Sequence, residues 1–146
     1  MSGSKIARLR WFLLVLFVLG VVGTGIELLL LGHTEDVWQW APLGLMAVSM
    51  AVLCWRLVDH RMVTLRLFQG TMMLFVVSGF VGLWLHYSGN VEFEREIYPT
   101  MEGFELFLAA LTGATPTLAP GTMLELGLLG LAYTYRHPDV SARDQS

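Results

Sequence analysis

Three ionisable residues stand within or at the ends of apolar stretches of this sequence: Glu27, His86 and Glu125. Two carboxylates and an imidazole supply the oxygen and nitrogen donors that bind a hard or borderline divalent metal ion. The same groups could share a proton, or hydrogen-bond the head of a quinone-like molecule. An ionisable side chain at membrane depth is energetically expensive, so each of the three asks for a partner or a function. Small residues accompany them. Gly20, Gly23 and Thr24 lie on or near the Glu27 face of a helix, Gly82 and Gly79 lie one and two turns before His86, and Gly121 lies one turn before Glu125. Small residues let helices approach closely in lipid, which predicts that all three side chains face the bundle interior or a neighbouring subunit. Structural roles compete with this. Thr122 and Glu125 have capping-box spacing, in which Glu125 would bond the backbone at its own helix start. Glu27 could pair with a neighbouring threonine or arginine, and His86 could be a hydrated interface residue.

A softer ligand set lies in the second apolar stretch. Met46, Met50 and Cys54 follow at four-residue steps, so they share a helix face; thioether and thiolate favour Cu(I). The Met-x-x-x-Met spacing resembles the pair in a transmembrane helix of trimeric copper-uptake proteins, and it is that resemblance over five residues that implies a copper site. The N-in, four-helix pattern departs from that family, and methionine is also an ordinary filler of apolar interiors. His33 and His86, both at outer helix ends, could ligate a haem bridged between the first and third helices. Arg56, Asp59, His60 and Arg61 read as snorkelling and interfacial anchors. The sequence contains no Gly-rich phosphate loop and no Ser-His-Asp arrangement with a soluble cleft.

The elements that must position these residues follow from hydropathy. The 146 residues suffice for one domain, 55% are hydrophobic and only 14% charged, and the mean hydropathy is +0.60. A soluble domain carries about 25% charged residues. Crossing a hydrocarbon core takes about 20 helical residues, and four apolar stretches approach that length: 11–32, 41–58, 67–87 and 118–135. In lipid each segment must satisfy its own backbone, so helices are expected. The first is longer than the apolar core of a secretory signal, about 7–15 residues, and is read as a retained helix. The expected fold is an all-α integral membrane protein, a four-helix transmembrane bundle in a single domain. Its polar tail is 136–146.

Positive charge sets the orientation. Lys5, Arg8 and Arg10 precede the first helix, Arg56, Arg61 and Arg66 surround the turn between the second and third, and Arg136 and Arg143 follow the fourth. Of the nine cations only Arg95 falls in the other two connections, which carry Glu35, Asp36, Glu92, Glu94, Glu96, Glu102 and Glu105. Both termini are therefore expected on the cytoplasmic side of a cell membrane of bacterial inner-membrane type. The same orientation puts Glu27, His86 and Glu125 in the outer half of the bilayer.

The connection 88–117 opens with a polar run to Glu96. A short helix is expected over 100–112, with Phe104, Phe107, Leu108 and Leu111 on one face and Gly113 just past its last turn. At about 20 Å it is too short to span, so it should lie in the outer interface or re-enter the membrane. Residues 113–121 hold two prolines and two glycines but no charge, an odd composition for a solvated loop. They form a surface elbow or a re-entrant segment.

Small size, little soluble mass, glycine-lined faces and no catalytic signature point to an accessory, assembly or oligomerising subunit of a membrane complex. The expected partners are the lipid bilayer and other membrane subunits or further copies of the chain. No basic run suggests nucleic acid. The alternatives are a transporter or ion-binding protein using Glu27, His86 and Glu125, and a membrane enzyme acting on a lipid or quinone.

Overall fold

The structure, a computed structural model, describes residues 3–135; the expected polar tail, 136–146, lies outside the described residues. The described chain is helical, with α1 (Gly3–Leu30), α2 (Val37–Val58), α3 (Met62–Ile97), α4 (Gly103–Leu111) and α5 (Gly121–Thr134). Three of these, α1, α2 and α3, are long and apolar enough to cross a membrane. The fourth expected span is shorter than its apolar stretch: α5 has 14 residues, about 21 Å at 1.5 Å per residue. A run of turn bonds precedes it, from Ala119 N–H to Pro116 O at 3.1 Å through Met123 N–H to Pro120 O at 3.0 Å.

Hydropathy marked where apolar sequence stops, not where helices stop. α1 begins in the basic segment and α2 begins at Val37, where the Asp36 carboxylate accepts from Trp38 N–H at 2.6 Å and Gln39 N–H at 3.2 Å. That cap satisfies two of the four orphan N–H groups of a helix start. α3 departs furthest from expectation. It runs 36 residues, about 54 Å, and the polar run expected to open a loop at Ser88 is instead its last three turns. Glu92, Arg95 and Glu96 are exposed there, while Asn90 is buried under the segment that follows α4.

α3 is the central element, packed against α2, α4 and α5, and α1 packs against α2 and α5. Leu14, Phe17 and Val21 of α1, Met46 and Leu53 of α2, Phe68, Met72 and Phe75 of α3, and Met123, Leu126 and Tyr133 of α5 form the core. Phe68 meets Phe17 edge-on at 5.5 Å and Tyr133 at 5.9 Å. The α3–α5 approach depends on missing side chains: a Cβ on Gly79 would lie 2.7 Å from Leu124 N, and one on Gly127 would lie 2.8 Å from Met72 O. Neither backbone atom can swing away.

α4 packs on α3 through buried Leu106 and Ala110, leaving Phe104, Phe107 and Leu108 exposed. Its expected aromatic face is divided: Phe107 meets the Tyr87 ring of α3 at 6.0 Å and Leu111 is half-buried, while Phe104 and Leu108 have no such cover.

Candidate functional site

Two histidines from different elements meet where α1 ends. Gly32 takes φ +65°, Gly32 N–H bonds Leu29 O at 3.1 Å and His33 N–H bonds Leu28 O at 2.9 Å. This is the left-handed glycine termination of a helix, with His33 as the residue just after it. Thr34 N–H donates to Gly32 O at 2.7 Å and Trp40 Nε1–H to Thr34 O at 3.1 Å, so the backbone on both sides of His33 is held. The His33 ring lies 6.4 Å from that of His86, centroid to centroid, tilted 54°. His86 Nδ1 is 3.0 Å from Pro116 O. A carbonyl only accepts, so Nδ1 carries the hydrogen and Nε2 is left with a lone pair in the neutral ring.

Pro116 belongs to the uncharged linker, and that linker is fastened by Asn90. The Asn90 amide donates to Ala110 O at 2.9 Å, Thr115 O at 2.7 Å and Thr117 Oγ1 at 3.0 Å, and its Oδ1 accepts from Thr115 N–H at 3.0 Å. Thr117 Oγ1 donates onward to Ala110 O at 3.0 Å. Both side chains are buried. One residue thus satisfies backbone groups at the end of α4 and in the linker, where an unpaired buried group would cost about 1–3 kcal/mol. Gly113 was expected as a left-handed helix terminator, but its φ is not positive. Its need is spatial, since a Cβ there would lie 2.8 Å from the Asn90 side chain. Further along, Pro120 sits on Gly82, one turn below His86. The neutral linker is therefore a strap laid on α3.

The sequence-predicted trio does not assemble. His86 is half-buried, whereas Glu27 and Glu125 are exposed. Leu124 packs on Gly79, which puts Glu125 about 10 Å along α3 from His86. Among the described residues no three His, Cys, Asp or Glu side chains are grouped to hold a metal ion, so Glu27, His86 and Glu125 are not a metal centre within one chain. The glycine faces divide as well. Gly20, Gly79 and Gly82 are filled by Leu126, Leu124 and Pro120, while Gly23 and Gly121, each one turn from a glutamate, face open space.

The other candidates resolve individually. Met46 is buried in the core, Met50 is half-buried and Cys54 is exposed. A four-residue step overshoots a 3.6-residue turn, so the stripe winds from core to surface and Met46 serves packing. The capping box does not form: α5 begins at Gly121 with Pro120 as cap, no side chain caps it, and Thr122 lies inside the first turn. Arg56 does not snorkel outward. It is 2% exposed, and its guanidinium donates to Asp59 O at 3.3 Å and lies 3.5 Å from His60 Nδ1. Thr64 Oγ1 also donates to Asp59 O, at 2.7 Å. At the same end Arg10 Nη2 donates to Tyr135 O at 3.1 Å, tying the start of α1 to the end of α5.

Asn90, Thr117 and buried Arg56 were not read from sequence as structural centres. Asn90 had a signal: it falls one turn past His86 and two past Gly82, on the face that receives the strap. No protein-family model, curated protein or solved structure matches the chain.

Proposed function

We propose that this chain is a four-span membrane protein with both termini on the cytoplasmic side, acting as an accessory or oligomerising subunit of a membrane complex. One observation carries the reading: Glu125 stands exposed on an outward stripe of α5 with Leu128 and Ala132. Its neighbour Leu126 packs on Gly20, ten residues before the end of α1, or about 15 Å along the helix. A carboxylate facing lipid at such depth would cost on the order of 3 kcal/mol. A protein neighbour or captured water on that face removes the cost. Glu27 repeats the arrangement on α1, with open Gly23 one turn away.

An even number of crossings is supported by the Arg10–Tyr135 bond, because α1 then starts on the side where α5 ends. With the turn run from Pro116, the last helical segment gains about another turn toward spanning length. Exposed Phe104 and Phe107, with ring centroids 6.0 Å apart and Tyr87 another 6.0 Å from Phe107, suit an α4 lying in the outer interface, where aromatic rings partition.

Two measurements test this. Cysteines at Glu35 and Glu94, in a Cys54→Ser chain, should react with an impermeant thiol reagent added outside intact cells, and a cysteine at exposed His60 should not. Native mass spectrometry from nanodiscs should give assemblies larger than one 16.3 kDa chain, and Glu125→Leu should shift them toward single chains. Single chains for the unaltered protein, with improved insertion of Glu125→Leu, would mean that the face meets lipid and the reading is wrong.

A further inference from the structure

We propose that His33 and His86 together form a binding site for a single borderline transition-metal ion, with zinc as the reference case, at the outer end of the helices. Imidazole suits zinc, copper, iron and nickel. The 6.4 Å between the ring centroids is the reach of two metal–nitrogen bonds of about 2.0–2.1 Å each plus the two ring radii laid in a line, and the bent angle at a tetrahedral ion would draw the rings about 1 Å closer. His86 has the arrangement that ligating histidines almost always show, one ring nitrogen donating to a backbone carbonyl so that the other is fixed as the ligand. Here the carbonyl is Pro116 O at 3.0 Å, and it is immobilised in turn by the Asn90 contacts to Thr115 and Thr117. The backbone that carries His33 is fixed independently by the glycine termination of α1 and by Thr34, whose carbonyl Trp40 holds.

Both rings are half-buried, so an ion can reach them from the outer side and still lose part of its hydration. The nearby carboxylate of Asp36 is occupied in capping α2, and no third His, Cys, Asp or Glu completes the set among the described residues. The remaining positions on the ion would be taken by water; that is one protein ligand fewer than the three that hold zinc at catalytic sites, so the ion exchanges readily. A haem is a poorer occupant, because Pro116 and Pro120 already pack along this face of α3. Direct ring contact without an ion is the competing account, since centroid separations of about 4.5–7 Å suit aromatic pairs.

The site and the subunit reading rest on different residues and can fail separately. The test uses the full chain in detergent with His60→Ala and His137→Ala, which leaves only this histidine pair. Titration with zinc should show one equivalent bound, lost on adding either His33→Ala or His86→Ala while the helical circular dichroism is unchanged. If those variants fail to fold, 15N-histidine labelling of the unsubstituted pair decides. Zinc should shift ring nitrogens of both His33 and His86. Stoichiometric zinc binding that survives loss of either histidine would overturn the proposal, as would labelled rings that ignore zinc.

Discussion

The seam between α3 and α5 and the seam between α1 and α2 are built from similar apolar sequence and behave as opposites. Along the first, Gly79, Gly82, Gly127 and Gly130 are each filled by a residue of the facing helix or strap, Leu124, Pro120 and Met72. Gln69 Nε2–H bonds Thr134 Oγ1 across it at 3.2 Å. Along the second, a Cβ on Gly25 would meet Met46 Sδ only at an ordinary 3.6 Å, and Trp11, Leu14, Val15, Val18, Leu19, Leu53 and Leu57 border a wholly apolar groove. Between helices in lipid there is little hydrophobic driving force, so close packing and polar links decide which pairs hold. Glycine content alone does not. The α3–α5 pair with its strap is the closely packed half, and α1–α2 is the half left with an open apolar groove.

That contrast can be broken first at Gly127. Gly127→Leu drives a side chain into the Met72 carbonyl, and overpacking against backbone should destabilise by about 3 kcal/mol or more, read as a lowered thermal transition in detergent. Next is Asn90→Ala, which strands the partners it holds in α4 and the strap. A loss of about 2–3 kcal/mol is expected, with faster amide exchange confined to 110–117. Unchanged exchange there would mean that the strap is held by Pro120 and His86 alone. Gln69→Ala removes one inter-helix bond and should cost about 0.6 kcal/mol, the usual size of such bonds in membranes. Smallest is Gly44→Ala, where nothing lies within 4 Å of the added methyl. Helix propensity should make it neutral or stabilising by up to about 1 kcal/mol. Destabilisation there would reveal a close neighbour on the α2 face.

Helix positions were legible because an apolar stretch has only one way to satisfy its backbone in lipid. Their ends were less so. The charged run after Ser88 looked like loop, since hydropathy does not register that α4 and the strap cover one side of α3 and leave Glu92, Arg95 and Glu96 on the other. The glycines near His86 were correctly read as contact points, but the partner, a neutral strap, was not. The exposed positions of Glu27 and Glu125 could not be read, because a helix face is inward or outward only relative to neighbours that sequence periodicity does not identify. α5 illustrates this: Leu126 and Glu125 are adjacent, and one is buried while the other is exposed.

The central claim is that the Glu125 face of α5 is covered by protein in the membrane, and cross-linking from Leu128, 54% exposed one turn away, tests it most directly. A photoreactive residue placed at Leu128 and activated in intact membranes should give a discrete product, either at twice the 16.3 kDa chain mass or at one defined larger mass. Glu125→Leu should weaken that product. Adducts to lipid alone, equally abundant with and without Glu125, would contradict the account.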